Sequence, residues 1–148
     1  MGLIREIGDG PIALDTVVFI YFIEEHLLFL PMIDPIFAAI DARRLPAVAS
    51  SLTLLEVLVV PYGTGNIPLA ERYEQVLTRS RGLRVIDIDR AQLRAAAQLR
   101  AIHASLRTPD AIQLSAALSG GCSVLLTNDR DLPAVPGLRI LQLRDFAT

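Results

Sequence analysis

The stretch Gly120-Gly121-Cys122-Ser123-Val124-Leu125-Leu126-Thr127-Asn128-Asp129 carries the clearest reading of the fold in this 148-residue chain. Two glycines stop the helix that precedes them, because the backbone conformation that ends a helix costs glycine least. The apolar run Cys122 to Leu126 that follows is short and bounded by turn residues, which is the pattern of a strand buried on both faces. Thr127-Asn128-Asp129 is then the turn leaving the strand's carboxyl end.

The same unit recurs on both sides of this stretch. Short apolar runs at Pro11 to Leu14, Leu45 to Ser50, Leu83 to Asp87 and Leu138 to Leu143 read as four more strands. The longer stretches between them are helical. Asp34-Pro35 and Thr108-Pro109 each place a capping side chain before a proline at the first helical position, and further helices are expected to follow Thr16, Thr53, Pro68 and Asp89. From Gln92 to His103, Leu93, Ala96, Ala97, Arg100 and Ala101 recur at a spacing that gives one mostly apolar stripe. Strands alternating with helices predict an α/β domain with a central parallel sheet of about five strands. We expect one domain over residues 11–148, preceded by an extension, residues 1–10, that is either disordered or a partner contact.

Composition narrows the chemistry. With 52% apolar residues the chain can bury a sizeable core. Its one cysteine, Cys122, has no partner for a disulfide or a zinc site, so a reducing cytoplasm is the expected location. The apolar run Val17 to Ile23 ends at Glu24-Glu25, too short to span a membrane, and no membrane association is expected. All 14 basic residues are arginine, which removes every mechanism that needs a lysine nucleophile or phosphate clamp.

The acidic residues fall at telling places. Asp15 follows the apolar strand Ile12-Ala13-Leu14 and precedes a helix with Thr16 as its expected cap, and Asp129 leaves the strand Val124-Leu125-Leu126 in the same way. Two carboxylates therefore leave the carboxyl edge of a parallel sheet, where ligands of α/β proteins bind. Asp110 stands in the first turn of a helix, where the macrodipole favours an acid and where plain helix stabilisation is the simplest role. Glu56 is surrounded by Leu54, Leu55, Val57, Leu58, Val59 and Val60, and an acid in such a run is costly unless paired or bound to a cation. Clustered carboxylates raise one another's pKa unless a cation compensates them, and an all-oxygen set selects hard ions such as Mg2+ or Mn2+.

Four blocks in this chain resemble the PIN-domain ribonucleases, and within them the VapC-type toxins of toxin–antitoxin pairs. They are Ala13-Leu14-Asp15-Thr16, Ser51-Leu52-Thr53-Leu54-Leu55-Glu56-Val57, Arg107-Thr108-Pro109-Asp110-Ala111-Ile112 and Leu125-Leu126-Thr127-Asn128-Asp129-Arg130-Asp131-Leu132. The resemblance implies a PIN-like three-layer α/β/α sandwich. It implies a catalytic metal site, Mg2+ or Mn2+, built from Asp15, Glu56, Asp110 and Asp129, with Asp131 as a further candidate ligand. Thr16, Thr127 and Asn128 would support that site by orienting ligands or water and holding the turn. The implied activity is metal-dependent endonucleolytic cleavage of RNA, and the implied partners are a VapB-like antitoxin and a second copy of the chain in a homodimer. Leu132 departs from the pattern, since relatives often carry an aromatic residue there.

Other polar residues have simpler explanations. Asp87 and Asp89 fit a strand end and a helix cap. His26 and His103 fall at helix carboxyl ends with no partner at metal spacing, and Cys122 reads as a small buried residue. Arg43-Arg44 and Arg79, Arg81 and Arg84 read as solvated faces, while Tyr21 and Phe22 suit core packing or a dimer surface. Arg107 and Arg130 adjoin the acidic blocks and are weak candidates for RNA binding, with pairing to nearby acids as the other reading. Two further functions fit acids at strand ends: a phosphotransfer domain using Asp15, disfavoured by the missing lysine, and a non-catalytic PIN-fold interaction module.

Overall fold

The computed structural model describes residues 2–147. Five strands form, β1 (Ile12–Leu14), β2 (Ala47–Ser50), β3 (Leu83–Ile86), β4 (Val124–Thr127) and β5 (Arg139–Gln142), each within two residues of its expected ends. They pair entirely in parallel, in the order β3-β2-β1-β4-β5. Seven α-helices are found among the described residues: α1 (Gly2–Ile7), α2 (Thr16–Ile23), α3 (Leu30–Asp41), α4 (Leu52–Gly63), α5 (Ile67–Arg79), α6 (Arg90–Ile102) and α7 (Thr108–Ser119).

The two-residue period of a strand sorts its side chains into two cores. Ile12, Leu14, Ala47, Ala49, Val124 and Leu126 point to one face of the sheet, where they meet α2, α3 and α5 through Phe19, Ile33, Ile36, Ile40, Tyr73 and Leu77. Ala13, Val48 and Leu125 point to the other, against α6 and α7 through Ala96, Ala111, Leu114 and Ala117. The result is a helix layer, a sheet and a second helix layer. Each fully buried Leu, Ile or Phe contributes about 1.5–3 kcal/mol relative to exposure, so the three central strands carry much of the stability.

Residues ahead of the first motif are not outside this core: Leu3 and Ile7 of α1 are buried in it. Helix starts depart from expectation in informative ways. Helix α3 begins at Leu30 with Pro31 in its first turn, and Pro35 lies inside it, not at its start. The earlier start lets Ile33 join Ile36, Phe37 and Ile40 in the core. The acceptor that Pro35 cannot reach is the carbonyl of Pro31, within that first turn. The cap of α2 is Asp15 and not Thr16. On α6 the cap is Asp89, which accepts from the Gln92 amide at 2.9 Å, as expected. Its buried face, however, holds Gln92 and Ala96, while Leu93 is 53% exposed. Packing on α7 places Ala96 inward and leaves Leu93 outside the contact.

The turn into β3 requires a glycine. Gly82 has φ +77°, and a Cβ there would lie 2.2 Å from the Ile40 carbonyl oxygen. Its own carbonyl accepts from the Ala47 amide at 3.1 Å, which sets the start of β2 beside β3.

Candidate active site

Chain order along the sheet reverses between β1 and β4, with β2 and β3 on one side of β1 and β4 and β5 on the other. At such a reversal the connections leave in opposite directions and open a crevice at the carboxyl edge. Asp15 and Asp129 both leave the strands at this point. The Asp15 amide donates to the Leu126 carbonyl at 3.0 Å, prolonging the β1–β4 pairing by one bond. Its carboxylate then accepts from the Thr16 amide at 2.8 Å on one oxygen and from the Thr127 hydroxyl at 2.7 Å on the other. Thr127 Oγ1 accepts in turn from the Asp129 amide at 3.0 Å, so one hydroxyl couples the two acids.

The turn behind Asp129 is held from several directions. Asp129 Oδ1 accepts from the Asp131 amide at 2.9 Å, and its carbonyl accepts from Gln142 Nε2 at 2.9 Å. Asn128 is buried, and its Oδ1 accepts from the Arg144 amide at 2.9 Å while its carbonyl accepts from Arg144 Nη2 at 3.0 Å. Asn128 thus ties the turn to the segment after β5.

Glu56 arrives from α4 and Asp110 from α7. Helix α4 starts where the Ser50 hydroxyl accepts from the Leu52 amide at 3.1 Å, and three-residue spacing puts Thr53 and Glu56 on one face. Thr16 Oγ1 donates to Glu56 Oε1 at 2.6 Å and lies 3.0 Å from Thr53 Oγ1. Thr16 therefore gives up capping to hold Glu56. Asp110 pairs with Arg107 at 3.3 Å across the first turn of α7. One turn later Gln113, almost wholly buried, places its Nε2 at 3.1 Å from Thr16, Thr53 and Glu56 alike. Sequence reasoning missed Gln113, although a glutamine inside the buried run Ala111–Ala117 needs polar partners and so marks itself.

The carboxylates feel one another. Burial pushes the Asp15 carboxyl above its ordinary range, against the hydrogen bonds from Thr127 and Thr16, and the charges of Glu56 and Asp110 push it further. Asp110 is likewise raised, by burial first, with Arg107 opposing and Asp129 and Glu56 adding. All four acids named from the sequence are thus electrostatically coupled at one edge. Asp131 joins Asp110 and Asp129 in lining an adjacent cleft of about 730 Å³, with Ser105, Leu106 and Arg107. Among the described residues no three carboxylate, thiolate or imidazole side chains are drawn tightly enough to enclose an ion, so the cluster is open. Its donors are all oxygen and its members repel, and both properties fit a hard divalent cation.

Of the remaining candidates, Arg107 alone among those described lines this cleft. Arg130 pairs with Asp145 at 2.5 Å, and Arg107 with Asp110, so both arginines meet neighbouring acids. His26 Nδ1 accepts from the amides of Leu28 and Phe29, and His103 caps the end of α6. Cys122 is buried ahead of β4, and burial pushes its thiol up to about 11. Tyr21 stacks on Phe29, and Phe22 on Phe37. No helix among the described residues is long and apolar enough to cross a membrane.

Residues 12–138, from β1 to the residue before β5, match the family described as the PIN domain. The chain belongs to the PIN domain family. This PIN domain is similar to a chain of the DNA-bound VapBC structure from Salmonella typhimurium, with 28% identity and a TM-score of 0.64 over 89% of this chain and 97% of that one. It is similar also to a chain of a toxin–antitoxin complex from Klebsiella pneumoniae, at 23% identity and TM-score 0.63 over 85% and 93% of the two chains. A VapBC2 structure from Rickettsia felis, bound to a promoter DNA fragment, matches at 19% identity and TM-score 0.64 over 88% and 97%. At these identities the Klebsiella and Rickettsia chains speak to the shared PIN fold alone. No curated protein sequence matches the chain at a significant level.

Proposed function

We propose that this PIN domain is a metal-dependent endoribonuclease and the toxin of a toxin–antitoxin pair. The observation that carries the reading is the set of four carboxylates that feel one another at the sheet reversal, with Arg107 the only cation among the described residues that offsets Asp110. Asp15, Glu56, Asp110 and Asp129 would hold Mg2+ or Mn2+, with Asp131 beside Asp110 and Asp129 in the adjoining cleft. A divalent ion bound there would supply an acidified water and offset charge on an RNA phosphate. The chain's own residues prepare that setting. Thr127 holds Asp15 and the Asp129 turn in one geometry, Thr16 holds Glu56, and Asn128 keeps the turn rigid. The open side of the cleft, bordered by Arg107, is where an RNA backbone would lie, and Arg130 is a weaker contact because Asp145 already engages it.

The likeness to a chain of the DNA-bound VapBC structure from Salmonella typhimurium supports a VapB-like antitoxin as partner. A homodimer and a cytoplasmic location belong to the same reading. The exposed Leu55 and Val59 on the outer face of α4 are available to such pairing. A phosphotransfer role for Asp15 is not favoured, since both of its oxygens accept hydrogen bonds and the chain has no lysine.

The test is cleavage of a structured RNA by purified protein with Mn2+. Asp15→Asn is expected to lower the rate by more than the roughly 10–100-fold that follows loss of a supporting partner at a metal site. Cleavage by this variant at the wild-type rate would sink the assignment, and absence of cleavage by the wild type on any RNA or single-stranded DNA would leave the non-catalytic module.

A further inference from the structure

The polar cluster beside the acids contains more acceptors than its donors can serve, and counting protons shows how it is wired. Thr16 has one hydroxyl proton, and the 2.6 Å approach to Glu56 Oε1 commits it there. Thr53, 3.0 Å from Thr16 and fully buried, must then donate to Thr16 Oγ1. Both threonine protons are spent. The only donor left in the cluster is the Gln113 amide, with two N–H groups facing three oxygens at 3.1 Å. The amide cannot be turned the other way, because its carbonyl oxygen would then face a carboxylate and two hydroxyl oxygens. The carboxylate is the strongest acceptor of the three, so one N–H goes to Glu56 and the other to a threonine.

We propose that Gln113 is a positioning residue that aims Glu56 into the acidic cluster. This inference rests on the metal-dependent reading above. Glu56 sits on a helix with exposed Leu55, Val59 and Val60 around it and has no cationic partner in any salt bridge among the described residues. What holds it is two neutral donors, Thr16 and Gln113, both on Oε1. Oε2 receives no hydrogen bond among the described residues and is the oxygen left to reach a ligand. A lysine or arginine in place of Gln113 would also hold Glu56, but it would cancel charge that a metal site needs. A neutral amide fixes the direction of the carboxylate and leaves the charge intact. The helix supplies the reach: Gln113 is one turn from Asp110, so a single face of α7 presents a charged acid at the cleft and, behind it, the amide that orders a second acid from another helix.

The experiment is Mn2+ binding by calorimetry, with the electron paramagnetic resonance spectrum of the bound ion, on the full chain and variants. Gln113→Met keeps the length and burial of the side chain without its donors. It is expected to bind Mn2+ about 10–100-fold more weakly, the range typical of losing an outer partner of a metal ligand, with an altered spectrum of bound Mn2+. Should this variant not fold, Gln113→Asn keeps an amide in the pocket but withdraws it by one methylene from Glu56, and the same weakening is expected. Wild-type affinity and spectrum in either folded variant would overturn the positioning role. Two controls separate that failure from failure of the parent reading. If the wild-type protein binds no Mn2+, or Asp15→Asn binds it as tightly as wild type, the metal site itself is wrong. If Asp15→Asn abolishes binding while Gln113→Met leaves it unchanged, only the role of Gln113 falls.

Discussion

Asp110 feels opposing influences: burial and the charges of Asp129 and Glu56 favour its neutral form, while Arg107 favours its charge. The net effect is a raised pKa. Asp15 is raised as well, so both groups hold protons in the folded protein at a pH where the unfolded chain has released them. The folded state then binds more protons than the unfolded state, and stability falls as pH rises. The metal-free protein is therefore expected to lose this contribution as pH rises from the ordinary aspartate value through the raised ones. Replacing Asp110 by Asn removes its share. In thermal melts without metal, Asp110→Asn should gain on the wild type across that pH window and keep the gain at neutral pH; a constant difference at all pH values would contradict the reading. At this scale the sequence was legible where an acid leaves a strand, as at Asp15 and Asp129, since the strand dictates where it points. The cap of α2 was read as Thr16 and is Asp15, because a threonine next to a cap looks like the cap. Gln113 was hidden because its partners come from residues 16, 53 and 56, which only the fold brings to α7.

Among the elements, the strands were read well and the helix starts less well, for a physical reason. A short apolar run between turn residues can satisfy its backbone in few ways other than as a buried strand, whereas Pro31 and Pro35 carry the same local message four residues apart. The core chose the first because it buries Ile33. The turn into β3 offers a sharper test of how one element positions another. Gly82→Ala would add about 1–2 kcal/mol of conformational cost from its positive φ alone, before the contact with the Ile40 carbonyl is counted. Urea unfolding should show a loss of at least that size, and a loss under about 0.5 kcal/mol, ordinary for an exposed surface substitution, would mean that the turn relaxes freely.

For the whole molecule, a parallel sheet covered by helices followed from alternation of strand and helix patterns, and the family resemblance implied helices on both sides and that the four acids share one site. What the sequence left open was how far apart the acids stand: they are coupled but not closed around an ion. A ligand that binds only the assembled cluster must stabilise the entire fold, by about 2.7 kcal/mol at a hundred times its dissociation constant. Mn2+ should accordingly raise the melting temperature of the wild type by several degrees and leave Asp15→Asn unmoved. An equal rise in both would place the ion elsewhere.

The sheet order brings together acids that the chain supplies at positions 15, 56, 110 and 129. During synthesis the first of these leaves the ribosome long before the last, and β4, the strand that pairs with β1 and carries Thr127, is among the late arrivals. A growing chain therefore has no assembled site until residues 124–129 are free to dock beside residues 12–14. A chain cut short before residue 124 would carry Asp15, Glu56 and Asp110 but no β4 to pair with β1, and so neither Thr127 nor Asp129 to complete the cluster.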